Sequence, residues 1–152
     1  MADSDAVPFS AYDGILSLLG GPDGPIIACG QAVNFWADRY QAEEPRLEAL
    51  LVHELVSLHP FVLGELACGN LHKRAETIAR LEELPAAAVA PEAQVRHLLE
   101  SRRLWGTGLG WIDLHLLASA VIAKSKLWTT DRAVAAAARQ LGIAFPGSRT
   151  PA

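Results

Sequence analysis

An α/β fold, with a parallel sheet and helices on both faces, is predicted by two features of the chain. Short runs of aliphatic residues bounded by Gly or Pro alternate with longer stretches whose apolar residues recur at helical spacing. The third consideration is size: 152 residues, 51% hydrophobic and 20% charged, suffice for one well-buried core rather than two.

Residues 1–24 are rich in Ser, Asp, Gly and Pro around the apolar patch Ile15-Leu16-Ser17-Leu18-Leu19, and read as a flexible lead or a loosely attached helix. Ile26-Ile27-Ala28-Cys29 reads as a short buried strand stopped by Gly30. A helix from about Val33 to Arg39 follows, then a second after Pro45 with Leu47, Leu50 and Leu51 on one face. Leu55 to His59 is the next strand. Pro60 starts a helix, because its missing N–H costs nothing in a first turn. That helix carries Val62, Leu63, Leu66, Leu71, Ile78 and Leu81. Pro91 begins another, through Leu98, Leu99 and Arg103. Gly106, Gly108 and Gly110 form a flexible loop before a helix containing Asp113. Lys126 to Thr129 is a strand, 132–141 an Ala-rich helix closed by Gly142, and Ile143-Ala144-Phe145 a last short strand. One domain over 25–147, with a tail at 148–152, is the expected organisation.

Thirteen Lys and Arg against 17 Asp and Glu give a formal charge of −4, which excludes a broad basic field for binding phosphates. Any contact with nucleic acid must be local. Cys29 and Cys68 have no metal-ligand or disulfide spacing, which fits a reducing compartment. No run approaches the roughly 20 apolar residues that cross a bilayer, so a cytoplasmic protein without membrane contact is expected.

Ligands of open parallel sheets collect beyond the carboxyl ends of the strands. That selects Glu65, expected in the first turn after the 55–59 strand; Asp131, just past the 126–129 strand; and Asp113, at the start of the preceding helix. Asp113 lies between Ile112 and Leu114, with Leu116 and Leu117 following. A carboxylate set in that apolar pattern is costly unless a partner compensates it. Each acid also has a plain structural alternative. Asp131 can be a helix-start acid beside a Thr129 or Thr130 cap, and Glu65 a solvated helix residue. Taken together, three carboxylates suit a hard cation, Mg²⁺ or Mn²⁺, able to activate water and stabilise a phosphodiester transition state.

Other signals are weaker. Arg102, Arg103, Lys124, Lys126 and Arg132 flank the acidic segments as phosphate contacts or as a solvated rim. Trp105 and Trp111 bracket the glycine loop, with core or dimer packing the favoured use and base stacking the alternative. Gly106-x-Gly108-x-Gly110 is no nucleotide fingerprint, since no strand leads into it. His59, His115 and the other histidines read as structural.

Three segments carry a resemblance: His59-Pro-Phe-Val-Leu-Gly-Glu65-Leu-Ala-Cys-Gly-Asn70-Leu, Arg103-Leu-Trp-Gly-Thr-Gly-Leu-Gly-Trp-Ile-Asp113-Leu-His-Leu-Leu-Ala-Ser-Ala120, and Lys126-Leu-Trp-Thr-Thr-Asp131-Arg132. With their spacers they resemble the downstream motifs of PIN-domain ribonucleases of the VapC toxin family, over roughly residues 36–141. The resemblance implies a three-layer α/β/α PIN-like domain with a short parallel sheet. It also implies a Mg²⁺- or Mn²⁺-dependent endoribonuclease acting on single-stranded RNA, a homodimer, and a VapB-like antitoxin partner. By position, Glu65, Asp113 and Asp131 take the second, third and fourth acidic roles, catalytic and metal-binding. Thr129 matches the family's small hydroxyl residue before the last acid, and Thr129, Arg103 and Arg132 are the expected substrate contacts.

The family's first acid has no counterpart. Alignment on Trp36 puts Ala32 at its position, and alignment on the 26–28 strand puts Cys29 there; Asp38 matches a helix-surface Asp of the same motif. The chain is therefore either a weakened nuclease or a catalytically silent module binding an antitoxin or RNA, unless Asp13 or Asp23 completes the site.

Overall fold

A computed structural model describes residues 26–28, 55–71, 73–129 and 131–145, with the backbone alone for 26–28. The lead, the helices expected at 33–39 and after Pro45, the tail beyond 145, and Cys29, Ala32, Asp38, Asp13 and Asp23 all lie outside these residues.

Strands β1 (Ile26–Ala28), β2 (Val56–Leu58) and β3 (Leu127–Trp128) form a parallel sheet with β1 in the centre. Ala28 is level with Leu58 on one side and with Trp128 on the other. Single parallel bridges widen this sheet at both edges, Ala86 beside Leu58 and Ala144 beside Leu127. Each is held by two backbone hydrogen bonds. Leu58 N–H donates to Pro85 O at 2.8 Å and Ala87 N–H to Leu58 O at 2.9 Å; Leu127 N–H donates to Ile143 O at 2.7 Å and Phe145 N–H to Leu127 O at 3.1 Å. The chain thus steps outward from β1 through β2 to Ala86, then returns to the far side of β1 for β3 and Ala144. The direction reverses between β1 and β3, which is where a sheet of this kind opens a crevice at its carboxyl ends. The strand expected at 143–145 is present as the Ala144 bridge. The Ala86 bridge was not foreseen, because Pro85-Ala86-Ala87-Ala88 has no strand propensity and pairs only through the backbone that Leu58 offers.

Five helices occur among the described residues: α1 (Pro60–Cys68), α2 (Arg74–Glu82), α3 (Glu92–Ser101), α4 (Trp111–Ala123) and α5 (Arg132–Gln140). The single helix expected from Pro60 to Leu81 is in fact α1 and α2. Gly69 is extended, its N–H returns to Leu66 O at 3.0 Å, and Lys73 takes a left-handed φ of 46°. Glycine loses the most freedom on entering a helix, so the apolar spacing continues across a break that the backbone prefers. Arg74 Nη2 then donates to Ala67 O at 2.8 Å and satisfies a carbonyl left over at the end of α1. Helix α3 also ends before Arg103, which has a left-handed φ of 54°.

Helix α4 is the centre of the core. Seven consecutive residues, Leu114 to Ala120, are buried, so the middle of the helix is covered on every side, as its apolar sequence requires, while Val121 and Ile122 at its end are exposed. It packs against α3, α5 and β3. Helix α5 is amphipathic instead, burying Val134, Ala135, Ala137 and Ala138 and leaving Arg139 and Gln140 in water. Trp128 and Phe145 stack with ring centres 4.5 Å apart and close the edge of the sheet. The exposed ion pairs Arg80–Glu76 and Arg96–Glu92, at 3.0 and 2.8 Å, contribute about 0.3–0.5 kcal/mol each. Truncating one fully buried leucine costs about 2–5 kcal/mol, so core packing dominates. No helix among the described residues is long and apolar enough to cross a membrane.

Candidate functional site

Asp131 is itself the N-cap of α5. Its Oδ1 accepts from Val134 N–H at 3.0 Å, and its own N–H donates to Thr129 Oγ1 at 3.1 Å. Thr129 is buried at the end of β3, while Asp131 is exposed. The hydroxyl therefore acts inward, fixing the backbone that presents the acid.

Asp113 is the third residue of α4, and its Oδ2 accepts from Gly110 N–H at 2.8 Å. Set in an apolar run, this acid is expected to need a compensating partner; the residue is half-buried and has one. Leu114, Leu116 and Leu117 enter the core, whereas the third helical position reaches back to the helix start. There an amide and the positive end of the helix dipole compensate the charge.

The glycine loop runs from beside the first turn of α5 to the start of α4. Gly106 and Gly108 have φ of 72° and 88°, values that side chains other than glycine rarely adopt. A Cβ on Gly108 would lie 3.6 Å from that of Ala133, so the loop backbone rests against the first turn of α5. Two residues further on, Gly110 holds Asp113. Each carboxylate spends one oxygen on a backbone amide. Asp113 Oδ1 and Asp131 Oδ2 carry no hydrogen bond among the described residues.

Glu65 stands apart from the expectation. It is the sixth residue of α1 rather than a first-turn acid, because α1 already begins at Pro60, and it is exposed. Among the described residues no group of three or more His, Cys, Asp or Glu side chains is close enough to hold a metal ion, so Glu65, Asp113 and Asp131 do not form one. The oxygen donors have the hardness that Mg²⁺ or Mn²⁺ requires, but the described side chains do not complete a ligand set.

Around this region Arg102, Arg103, Lys124 and Arg132 are exposed, and Lys126 Nζ is bound to Gly142 O at 3.0 Å. Trp105 and Trp111 are exposed rather than packed away. The glycine loop follows α3, not a strand, in keeping with its exclusion as a nucleotide fingerprint. Cys68 is free and exposed.

A polar cluster escaped sequence reasoning. His59 is fully buried; its Nδ1 caps α1 by accepting from Phe61 N–H at 3.0 Å, and its Nε2 lies 3.1 Å from Ser119 Oγ, which also accepts from Ala90 N–H at 3.1 Å. Burial pushes the His59 pKa below the usual histidine range, and the nearby His115 adds to the shift. His115 is buried, and its Nδ1 has no hydrogen-bond partner among the described residues. Histidine is a rare helix cap, so only the position before Pro60 hinted at the first of these roles.

The fold and site together define an α/β protein that presents two acidic helix starts at the carboxyl-end side of a parallel sheet. Over 113 residues, 74% of this chain and 91% of the relative, it is 36% identical to "Ribonuclease VapC32" of Mycobacterium tuberculosis, the same match recurring in two strains. The chain belongs to the VapC ribonuclease family. No protein-family model matches it, and no solved structure does.

Proposed function

We propose that the protein is a metal-dependent endoribonuclease, the toxin of a type II toxin-antitoxin pair, which hydrolyses phosphodiester bonds in single-stranded regions of RNA. The observation that carries this reading is the pair of carboxylates on adjoining helix starts, in a chain 36% identical to a ribonuclease. Residues 25–147 form a three-layer α/β/α PIN-like domain between a lead (1–24) and a tail (148–152). It acts as a homodimer in the cytoplasm and is held in check by a VapB-like antitoxin.

Asp113, Asp131 and Glu65 are the residues that would hold Mg²⁺ or Mn²⁺, and the ion's contribution when bound is to activate water and offset charge on the phosphodiester. Glu65 joins such a set only if the acid-bearing segments draw together around the ion. Thr129 positions Asp131, and Arg103 and Arg132 meet the RNA backbone. Without the family's first acid, this chain is a weakened nuclease.

The second reading is a catalytically silent PIN-like module that binds an antitoxin or RNA. It is favoured by the absence of a three-residue ligand set among the described residues and by Ala32 and Cys29 at the missing acid's alternative positions. Cleavage of a labelled single-stranded RNA with Mg²⁺ or Mn²⁺ tests both. Asp113→Asn should abolish cleavage with an unchanged or slightly raised Tm, since the amide oxygen can still accept from Gly110. Full cleavage by that variant removes Asp113 from the site. No cleavage by the parent protein, with antitoxin binding retained, establishes the silent module.

A further inference from the structure

Two indoles stand in solvent on either side of the glycine loop. Trp105, in the turn after α3, is 55% exposed, and Trp111, the first residue of α4, is 43% exposed. Single exposed apolar residues are ordinary, but two of the largest side chains flanking one short loop forgo a sizeable burial gain and call for an occupant.

The Trp111 indole is firmly mounted, and the backbone that carries Trp105 is anchored. The Trp111 ring meets His115 edge to face at 4.9 Å, His115 meets Phe61 at 4.8 Å, and Phe61 meets His59 at 4.9 Å, so an aromatic row runs from buried His59 outward to the exposed indole. Trp105 follows Leu104, which is buried in the core, and Thr107 Oγ1 donates back to Leu104 O. The turn that carries Trp105 also carries Arg102 and Arg103. Both are exposed, and neither has an ion pair among the described residues. Asp113 lies two residues past Trp111.

We infer that Trp105 and Trp111 form a stacking face for unpaired RNA bases beside Asp113, with Arg102 and Arg103 holding the adjoining phosphates. The inference rests on the ribonuclease reading and gives its site a preference for single strands. Every base has a π-face, but that face is free for an indole only when the base has left a duplex, so stacking selects single strands without selecting sequence. Guanidinium groups without acidic partners suit a polyanion, and they supply locally the attraction that a net charge of −4 withholds. A second copy of the chain or an antitoxin surface is the competing occupant, and it offers those guanidinium groups no comparable phosphate.

The experiment uses fluorescence anisotropy of a short unstructured RNA, and of a duplex of the same sequence, with the full chain carrying Asp113→Asn so that cleavage does not consume the probe. Trp105→Ala and Trp111→Ala should each weaken single-strand binding about 5- to 100-fold. Trp105→Phe and Trp111→Phe should recover most of it, and weak duplex binding should be unchanged. Trp111→Phe keeps a ring edge on His115, and Trp105 sits mostly in water, so the series remains informative if Trp111→Ala is poorly folded. Unaltered affinity in Trp105→Ala, or in a folded Trp111→Ala, overturns the stacking face, as does an equal loss for the duplex. Loss of dimerisation or antitoxin binding with RNA affinity intact assigns the indoles to a protein surface and also overturns it. Cleavage by the unmodified protein is scored separately: indole-dependent RNA binding without cleavage upholds the stacking face and fails the nuclease reading, and cleavage with indole-independent binding does the reverse.

Discussion

His59 Nε2 lies 3.1 Å from Ser119 Oγ, joining the end of β2 to the middle of α4 across sixty residues of sequence. Because Nδ1 accepts from Phe61 N–H, that nitrogen carries no proton, and the ring's single N–H points at Ser119. The imidazole is thereby fixed as one neutral tautomer, with its two nitrogens in separate duties.

Protonating Nδ1 breaks the α1 cap and buries a charge. The folded-state pKa of His59 is lowered, chiefly by burial and then by His115. As pH falls below about 6.5 the unfolded chain takes up this proton before the folded one does, so the stability His59 contributes is complete above that pH and declines below it. The Tm should fall from pH 7.5 to pH 5, and His59→Asn, which can still cap α1, should flatten the decline. An equally steep fall in that variant would assign the effect to other groups.

Ser119→Ala leaves two buried donors, His59 Nε2–H and Ala90 N–H, without an acceptor. Each such orphan costs about 1–3 kcal/mol, so urea unfolding should show a loss of about 2 kcal/mol or more. A loss below about 0.5 kcal/mol means that the cluster re-pairs after the change.

Asp131 has a cap role and a proposed chemical role, and two substitutions separate them. Asn is as good a cap as Asp, so Asp131→Asn should hold stability while eliminating cleavage; Asp131→Ala should eliminate cleavage and also cost about 1 kcal/mol. Retained cleavage in Asp131→Asn would leave Asp131 as a cap alone.

The missing acid is tested by adding one. Ala32→Asp should raise Mg²⁺- or Mn²⁺-dependent cleavage of single-stranded RNA, because a further anionic oxygen tightens hold on a hard cation. Cys29→Asp tests the competing alignment. If neither change improves a parent that already cleaves, a carboxylate elsewhere completes the site, and Asp13, Asp23 and Asp38 become the residues to remove in turn.

Much of the fold was legible wherever the signal was local. Pro60 and Pro91 mark helix starts at their expected places, and Gly142, at φ 73°, closes the Ala-rich helix as expected. The acids were harder to read. Asp113 looked like a buried charge, because its neighbours in sequence are apolar, yet its partner is the backbone of Gly110, which no apolar pattern can announce. Glu65 fell outside the first turn because the helix begins at Pro60 itself. Trp105 and Trp111, read as core or dimer packing residues, are exposed and so do not belong to the core of the chain.

By itself the sequence determined the alternation of strands and helices over the described residues, apart from the break between α1 and α2 and the Ala86 bridge, and the family to which the chain belongs. These depend on propensity, punctuation and motif spacing, which act over a few residues at a time. Only the tertiary structure decided that Pro85 to Ala87 pairs with β2, that the glycine loop lies against Ala133, and that His59, Ser119 and Ala90 share one hydrogen-bonded knot. Each of these joins residues distant in the chain. Their partners are chosen by how buried backbone and side-chain polar groups find acceptors once the sheet and α4 have packed, and that choice has no signature in any short stretch of sequence.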